Sequence, residues 1–312
     1  MIAATIRDGR VAPAEHPDPV PGTGEVLVRV AGAGLNGADM HQLAGRYPAP
    51  PGSPPDIPGL ELAGVVAGVG PGALRFSAGD RVMGIVGGGG QAELAVVPER
   101  QLTAVPEGLD LVAAGGVPEV FTTAHDALFT QCGLTVGERL LVHGGAGGVG
   151  SAAIQLGVAA GAGVHATVRD PALRDGVAAL GASVLAPEEF DAHGPFDVIL
   201  ELVGAPTLAG DLDALAPCGR IVVIGIGAGA RGELDLRVLM AKRATLRASM
   251  LRARSPEEKA MTARALERSV LPLLAGGQVE PLIAARYALS DVAAAYERFA
   301  AGGKLGKIVL EC

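Results

Sequence analysis

Six consecutive residues in the middle of the chain have the types and spacing of a phosphate-binding turn. They are Gly145, Ala146, Gly147, Gly148, Val149 and Gly150. They follow an apolar run at 140–142 and begin a segment whose apolar residues recur at helical spacing. In that context the first glycine permits a tight turn, the second lets the backbone approach a diphosphate, and the last lets the helix pack closely on the strand. The sequence therefore predicts a dinucleotide site at the start of a helix, with a glycine-rich connection that binds no ligand as the alternative.

The residue after the second predicted strand indicates which dinucleotide is bound. Sites for NAD usually carry Asp or Glu there, for the ribose hydroxyls. This chain has Arg169 instead, after a strand at 164–168, and a guanidinium suits a 2′-phosphate. The neighbouring Asp170 is predicted to cap a helix that begins at Pro171. The pattern favours NADP(H), with Arg169 as an ordinary surface charge as the alternative.

These residues belong to a segment in which apolar strands alternate with helices. Strands are predicted at 140–142, 164–168, 184–185, 196–202 and 221–224, with a further one at 246–250. Strands that are apolar throughout indicate a parallel sheet covered on both faces by helices. We therefore predict a Rossmann domain, a doubly wound parallel sheet, over 118–275. Its last helix is predicted to begin after Ser255 and to run to about residue 274.

Three residues follow the fourth and fifth of these strands. They are Val203, Gly225 and Ile226. The carboxyl ends of the strands are where ligands bind in such folds, so we expect backbone contacts between these residues and the cofactor.

The first 117 residues have a different pattern, with short strands and many turns. Residues 25–31 alternate, with Val26, Val28 and Val30 on one face, as is typical of a half-buried strand. The tail, 276–312, is too short to fold alone. We expect it to complete the β domain of 1–117, which gives an α/β chain of two domains.

Composition and charge argue against several other classes of protein. The net charge is −8 and no run of Lys or Arg is present, which disfavours nucleic acid and anionic membrane surfaces as partners. No apolar run is long enough for a transmembrane helix, and the charged N-terminus is not typical of an export signal. The three cysteines are isolated and odd in number, which favours a reducing compartment, the cytoplasm.

Several further motifs are informative in combination with the glycine turn. They are Leu35-Asn36, Ala38-Asp39, Gly45-Arg46-Tyr47-Pro48, Gly59-Leu60-Glu61, Gly79-Asp80-Arg81-Val82, the stretch from Leu251 to Lys259, and the stretch from Gly306 to Leu310. Together they make the chain similar, over essentially its whole length, to the zinc-free quinone oxidoreductases of the medium-chain dehydrogenase/reductase superfamily, the zeta-crystallin branch.

This resemblance implies a GroES-like β domain joined to the Rossmann domain, with nicotinamide and substrate in a cleft between them. It implies a homodimer formed by pairing the last strand of each Rossmann sheet, which the apolar alternation at Leu246 and Ala248 permits. It also implies no metal. Where zinc enzymes of the superfamily carry a cysteine this chain has Asn36, and their Gly-His-Glu is Gly59-Leu60-Glu61 here, so a normal zinc ligand set is missing.

Tyr47 and Asn36 are the catalytic candidates that the resemblance supplies. Without a metal, reduction of a quinone or an enone needs a hydrogen-bond donor near the oxygen that gains negative charge. Tyr47 matches the tyrosine of the family's active-site loop, and solvent would deliver the proton; a tyrosine packed on the loop prolines is the alternative. Asn36 matches the asparagine beside the nicotinamide, and Thr123 matches the threonine near its ribose.

The chain departs from the family at positions that usually hold the 2′-phosphate. Leu173 stands where a lysine is frequent, and Ala186 where a tyrosine is frequent. The prediction of NADP(H) therefore depends on Arg169 together with Arg174. Gln91 replaces another frequent tyrosine, which is expected to reshape the substrate pocket.

The function predicted is hydride transfer from NADPH to a quinone or an α,β-unsaturated carbonyl compound. One alternative is an enoyl reductase that acts on a biosynthetic intermediate, with the same chemistry and a different pocket. Another is a weakly catalytic NADPH-binding protein with a structural or sensing role. The glycine turn is common to all three, whereas Tyr47 and Asn36 favour an enzyme.

Overall fold

The computed structural model describes the whole chain, residues 1–312, as two compact units. The first unit contains Met1–Thr122, Leu251–Gly302 and Lys307–Cys312, and the second contains Thr123–Met250 and Gly303–Gly306. No helix in either unit is both long enough and apolar enough to cross a membrane.

Strands and helices are numbered here in chain order. The strands are β1 (Ile2–Arg7), β2 (Arg10–Glu15), β3 (Glu25–Gly34), β4 (Glu61–Val69), β5 (Arg81–Ile85), β6 (Leu94–Pro98), β7 (Leu102–Ala104), β8 (Arg139–Val142), β9 (Gly163–Thr167), β10 (Ser183–Leu185), β11 (Phe196–Glu201), β12 (Leu215–Val223), β13 (Thr245–Ala248), β14 (Ile283–Ala288) and β15 (Lys307–Glu311). The helices are α1 (Gly37–Leu43), α2 (Leu111–Ala114), α3 (Pro118–His125), α4 (Gly148–Ala159), α5 (Arg174–Ala178), α6 (Leu208–Ala214), α7 (Leu236–Lys242), α8 (Pro256–Ser269), α9 (Leu271–Ala275) and α10 (Val292–Ala300).

The first unit is built on a sheet in the order β14-β15-β3-β4-β5-β7, with β6 also paired to β3. Apart from the parallel pair β14–β15, its strands pair in antiparallel fashion. The alternation predicted for β3 is present, since Val26, Val28 and Val30 are buried in the core while Arg29 is exposed. The last strand, β15, pairs with β3 and so ties the end of the chain into this sheet.

The second unit contains six parallel strands in the order β10-β9-β8-β11-β12-β13. Counted within the unit, that order is 3-2-1-4-5-6, the doubly wound Rossmann arrangement. Residues 140–142 and 198–201 are all buried, as expected for central strands covered on both faces. The predicted α/β fold, a GroES-like β domain with a Rossmann sheet, is confirmed.

The region after β13 differs from its prediction. The sequence predicts one helix from 255 to about 274, whereas the structure has two, α8 and α9. Pro272 lies in the first turn of α9, where its missing N–H costs nothing, but a continuous helix would need that donor. The predicted start is correct, because Ser255 Oγ accepts from the Glu258 N–H at 3.3 Å and the Glu258 carboxylate accepts from the Ser255 N–H at 2.9 Å.

Helix α8 also lies in a different unit from the one predicted. The sequence assigns 118–275 to the Rossmann domain, but residues 251–302 belong to the first unit. The reason is packing, since α8 lies against β5 and β7 of that unit. The residues of α8 that this packing buries are Ala260, Ala263 and Leu266.

Candidate active site

The glycine turn connects the end of β8 to the start of α4, in the position that the sequence predicts. The N–H of Gly145 donates to the Thr167 carbonyl and the N–H of Gly147 to the Gly144 carbonyl, each at 3.0 Å. Gly147 is the N-cap of α4 and has an extended backbone. The amide groups at 148–150 begin the helix and have no acceptor within it, so they are available to phosphate oxygens.

Gly145, Gly147 and Gly150, the three glycines assigned a role in the turn, are required for different reasons. A Cβ added to Gly150 would lie 2.3 Å from the Gly144 oxygen, and one added to Gly145 would lie 2.9 Å from the Cβ of Ala166. Packing within the protein therefore excludes a side chain at both positions. A Cβ at Gly147 would meet only the Gly144 oxygen, at the ordinary distance of 3.4 Å, and Gly147 is exposed. Packing within the protein does not require glycine at position 147, whereas the close approach of a diphosphate to the backbone would require it.

A buried polar chain links the glycine turn to β9 and α6. His143, the residue after β8, is fully buried. Its Nδ1 lies 3.1 Å from Oγ1 of Thr167, which accepts a hydrogen bond from the Gly144 N–H at 3.3 Å. Its Nε2 lies 2.7 Å from Oδ1 of Asp211. With the imidazole protonated on Nε2, Thr167 donates to Nδ1 and His143 donates to Asp211, so the chain of donors is complete.

Glu201 ends β11 and organises the loop that follows. Its Oε1 accepts from the backbone N–H groups of Val203 and Gly204, and its Oε2 accepts from the Thr207 hydroxyl. The carbonyl of Val203 accepts from the Ala228 N–H at 2.9 Å. The backbone of Val203 is therefore engaged within the protein, and only one lone pair of its carbonyl remains for a cofactor donor.

Gly225 and Ile226 lie in the loop after β12, at the carboxyl end of the parallel sheet. The Gly225 N–H donates to the Glu201 carbonyl at 3.1 Å. A Cβ at Gly225 would lie 2.2 Å from the Leu202 oxygen, so packing requires glycine there. The side chain of Ile226 is 54% exposed, which leaves an apolar group at this edge of the sheet.

The two arginines predicted to bind the 2′-phosphate follow β9. Arg169 is exposed, and no hydrogen bond or ion pair holds its guanidinium. Arg174 begins α5, and its Nε donates to the Val168 carbonyl at 3.2 Å. Asp170 accepts from the Ala172 N–H at 3.0 Å, which confirms its role as a cap. A guanidinium with no partner in the protein is available to an anionic ligand.

In the first unit, three buried side chains from distant parts of the sequence form one cluster. The Nζ of Lys307 lies 2.6 Å from Oε1 of Glu61, 2.6 Å from Oδ1 of Asn36 and 2.7 Å from the Leu35 carbonyl. The Nδ2 of Asn36 donates to Oε1 of Glu61 at 3.0 Å and to the Gly34 carbonyl at 3.3 Å. Both amide hydrogens of Asn36 are thus committed, and only one lone pair of its Oδ1 remains for a ligand.

The oxygen atoms of this cluster suit an ammonium group better than a zinc ion. Zinc sites in proteins use thiolate, imidazole and carboxylate ligands. Here Glu61 and Asn36 already bind the Lys307 ammonium, and Leu60 is buried and apolar. A metal ion in contact with Glu61 would meet the positive charge of Lys307 within a few ångströms.

A second set of potential metal ligands lies in the second unit. The ligand atoms of His143, Glu201 and Asp211 lie within 4.8 Å of one another. Hydrogen bonds explain this proximity. Nε2 of His143 lies 2.7 Å from Oδ1 of Asp211, and the Glu201 carboxylate accepts from backbone N–H groups of the loop that follows β11. The Oδ2 of Asp211 is buried without a hydrogen-bond partner. Burial raises the pKa of Asp211 to about 6, although His143 lowers it. This raised pKa favours a proton that is shared between Asp211 and its neighbours His143 and Glu201.

Asp39 and Gln91 form a further buried group in the first unit. Asp39 accepts from the N–H groups of Asn36 and Gly59, at 2.8 and 3.2 Å, and from Nε2 of Gln91 at 3.4 Å. Desolvation nevertheless raises the pKa of Asp39 to about 6. Oε1 of Gln91 accepts from the Tyr296 hydroxyl at 2.9 Å. Gln91 is fully buried, and its side chain joins Asp39 to Tyr296.

Glu119 lies in the first turn of α3, and its N–H donates to Oε2 of Glu61 at 2.8 Å. Its side chain is half-buried, and no hydrogen bond or ion pair engages its carboxyl group. Burial, together with the charge of Glu61, raises the pKa of Glu119 to about 8, although Lys307 lowers it. Glu119 is therefore largely a neutral carboxylic acid at pH 7.

The loop that carries Tyr47 is anchored by Arg252, a buried arginine that precedes α8. The Arg252 guanidinium donates to the carbonyls of Tyr47 and Gly87, at 3.0 and 2.8 Å, and to Oε1 of Gln42 at 2.7 Å. It also lies 4.7 Å from the centre of the Tyr47 ring. Desolvation raises the pKa of Tyr47, which Arg252 partly opposes, so the phenol stays protonated and can donate a hydrogen bond.

Thr123, the residue expected near the nicotinamide ribose, lies on α3. It is 7% exposed, and no hydrogen bond engages its hydroxyl. The hydroxyl therefore keeps its full capacity to donate and accept.

Most polar partners of these residues could not be predicted from the sequence. For Arg252 and Glu61 the only signal is that each is a charged side chain within one of the family motifs. Lys307 also closes a motif, but nothing local indicates that it reaches Asn36, 271 positions away. The pairing of His143 with Asp211 is equally hidden, because 68 positions separate the two residues.

Comparisons with known proteins agree with the fold. Residues 22–107 match the family model of the alcohol dehydrogenase GroES-like domain, and residues 182–310 match that of the zinc-binding dehydrogenases. The human quinone oxidoreductase is 30% identical over 306 residues, which is 94% of this chain and 90% of that protein. An alcohol dehydrogenase superfamily protein from Novosphingobium aromaticivorans has a similar structure, with a TM-score of 0.88 and 30% identity over 100% of this chain and 99% of that one.

The CurK enoyl reductase shares the fold, with a TM-score of 0.85 and 24% identity over 99% of this chain and 98% of that one. The full-length match to the human quinone oxidoreductase is the comparison that decides the family. The chain belongs to the medium-chain dehydrogenase/reductase family and is an oxidoreductase-family protein similar to the quinone oxidoreductases.

Proposed function

We propose that this protein is a reductase that uses NADPH to reduce a quinone or an α,β-unsaturated carbonyl compound, without a metal ion. The observation that carries the proposal is Gly147, an exposed glycine at the start of α4 that packing does not require. Its conformation suits a backbone that a diphosphate approaches closely. The similarity to the human quinone oxidoreductase supports the substrate class.

The second unit supplies the residues proposed to hold the cofactor. The glycine turn, Gly145 to Val149, binds the diphosphate through its amide groups other than those of Gly145 and Gly147, which donate within the protein. Arg169 with Arg174 binds the 2′-phosphate. Thr123, Val203, Gly225 and Ile226 are proposed to contact the nicotinamide half. When bound, NADPH supplies a hydride, which neither the side chains nor water can supply.

The first unit supplies the residues proposed to act on the substrate. The protonated phenol of Tyr47 donates a hydrogen bond to the substrate oxygen that gains charge, and solvent provides the proton. The free lone pair of Asn36 Oδ1 accepts from a ligand N–H, because its other groups are committed to Glu61 and Lys307. The Lys307 ammonium bound to Glu61 supports a reaction without zinc.

The activity is tested by following NADPH oxidation with a panel of quinones and α,β-unsaturated carbonyl compounds. We expect turnover with at least one member of the panel. Added zinc should not raise this activity, and a chelator should not lower it. Absence of turnover with every member, while NADPH still binds tightly, would instead support a sensing or structural protein. The similarity in fold to the CurK enoyl reductase makes enoyl reduction the second candidate, favoured if enoyl thioesters react and quinones do not.

The preference for NADPH is tested with Arg169→Ala. Loss of the guanidinium is expected to weaken NADPH binding by tenfold or more, since a charge-assisted hydrogen bond contributes about 1.5–3 kcal/mol. NADH binding should change little. Equal weakening of both nucleotides would remove Arg169 from the proposed phosphate site.

We further propose a homodimer in a reducing compartment, the cytoplasm. The edge strand β13 carries Leu246, which is 37% exposed, and Met240 and Met250 nearby in the sequence are also exposed. All three cysteines are free thiols. Sedimentation velocity at micromolar concentration tests the dimer, and a purely monomeric species would contradict it.

A further inference from the structure

The segment Gly303–Gly306 packs with the second unit, although the residues on both sides of it belong to the first. The Gly306 N–H donates to the Ala146 carbonyl at 2.9 Å, and Gly306 forms a bridge with Gly147. Ala146 and Gly147 are residues of the glycine turn. A segment from near the end of the chain is therefore hydrogen-bonded to the turn proposed to bind the diphosphate.

The same segment reaches the region after β9. A Cβ on Gly176 of α5 would lie 2.8 Å from the side chain of Leu305, so Leu305 packs directly on that helix. A Cβ on Gly303 would lie 3.7 Å from Oδ2 of Asp170. The segment thus spans the distance from the glycine turn to the turn that carries Arg169 and Arg174.

Two glycines make this path of the backbone possible. Gly302 and Gly303, which follow α10, have φ values of 67° and 59°. Two successive left-handed residues are readily adopted only by glycine. They turn the chain sharply after the helix and fix where the next residue, Lys304, begins.

Lys304 is the charged residue of the segment. Its Nζ donates to the Gly306 carbonyl at 2.9 Å, and its side chain is only partly buried. Gly306 is the residue bonded to Ala146, so the ammonium lies close to the glycine turn.

We propose that Lys304 is a further cofactor-binding residue, whose ammonium binds a phosphate group of the dinucleotide at the glycine turn. This inference rests on the proposed function. The shared chemistry is a phosphate oxygen, from either the diphosphate bridge or the 2′-phosphate, because the segment spans both regions. Lys304, which lies near the end of the chain, thereby adds a third cation to Arg169 and Arg174.

The experiment is a calorimetric titration of the full chain with NADPH and, separately, with NADH. Lys304→Gln keeps most of the side-chain length and removes the charge, and is expected to weaken NADPH binding about tenfold. Lys304→Arg should restore most of the affinity. Arg237→Gln is the matched control, because Arg237 is a solvent-exposed cation of α7 in the same unit. Thermal unfolding checks that each variant is folded.

The outcomes separate the two phosphates and the two proposals. Weakening of both nucleotides by Lys304→Gln assigns the ammonium to the diphosphate, and weakening of NADPH alone assigns it to the 2′-phosphate. Unchanged binding of both nucleotides in the folded variant overturns the role of Lys304 while leaving the proposed function intact. If the wild type binds neither nucleotide, the proposed function fails and this inference fails with it.

Discussion

The Nζ of Lys307 lies 2.6 Å from Oε1 of Glu61, and both side chains are buried in the first unit. Lys307 begins β15 and Glu61 begins β4, so the pair joins the last strand of the chain to the middle of the same sheet. Asn36 is held between them through its oxygen and its amide nitrogen. The position of a catalytic candidate thus depends on an ion pair formed by the end of the chain.

Removal of the ammonium should be strongly destabilising. Lys307→Met leaves Glu61 as a buried carboxylate without its cation, which typically costs about 3–5 kcal/mol. Urea denaturation measures the loss in the free energy of unfolding. The double variant Lys307→Met/Glu61→Gln removes both charges and should be more stable than Lys307→Met alone. Equal stability of the two variants would show that the buried charge of Glu61 is not the cause.

Glu119 should make stability depend on pH. Because its pKa is raised from 4.5 to about 8, the folded chain binds this proton more tightly than the unfolded chain does. The contribution of this protonated carboxyl group to the free energy of unfolding is full below pH 4.5 and is lost as the pH rises through 8. Glu119→Gln should therefore gain stability relative to wild type over that range, by about 2 kcal/mol after allowance for partial exposure. Denaturation at pH 5, 7 and 8.5 tests this, with the exposed Glu107→Gln as control; a difference that does not change with pH contradicts it.

Two glycines of the same turn should respond differently to alanine. Gly150→Ala forces a Cβ to 2.3 Å from the Gly144 oxygen and should lower the free energy of unfolding by about 1–3 kcal/mol. Gly147→Ala meets only an ordinary contact, and its φ of −72° suits alanine, so stability should change by less than about 0.5 kcal/mol. Thermal and urea unfolding measure both. A large loss of stability in Gly147→Ala would mean that packing, and not a ligand, requires glycine there.

Tyr47 should affect the chemical step without affecting the cofactor. Tyr47→Phe removes the donor to the substrate oxygen and is expected to lower kcat about tenfold, since a neutral hydrogen bond contributes about 0.5–1.5 kcal/mol. The affinity for NADPH should be unchanged. Tyr287→Phe, in β14, is the matched control. Steady-state kinetics with the best substrate of the panel measures the effect, and an unchanged kcat would leave Tyr47 as a packing residue of its loop.

The parts of the molecule specified by neighbouring residues could be predicted from the sequence. The glycine turn, the cap at Asp170 and the cap at Ser255 each depend on residues a few positions apart, and each forms as expected. The alternation of apolar strands and helices was sufficient to predict the parallel Rossmann sheet. Local patterns of this kind act through backbone geometry, which is common to all proteins.

The partners of the site residues could not be predicted, because they depend on how distant segments pack. Gln91 illustrates this, since its side-chain hydrogen bond to Tyr296 joins residues that are 205 positions apart. The unit to which α8 belongs is likewise decided by packing against β5 and β7. Nothing in the amphipathic pattern of α8 identifies which sheet it covers.

The most direct test of this account is a titration of the wild-type chain with NADPH, followed by the fluorescence of the bound nicotinamide. We predict one saturable site per chain, and a loss of affinity of at least tenfold in Gly147→Leu, whose side chain would fill the space assigned to the diphosphate. The variant should remain folded, since Gly147 is exposed and a Cβ there would meet only the Gly144 oxygen, at 3.4 Å. Absence of saturable binding by the wild type, or equal affinity in the folded variant, would contradict the central claim that the glycine turn holds the cofactor.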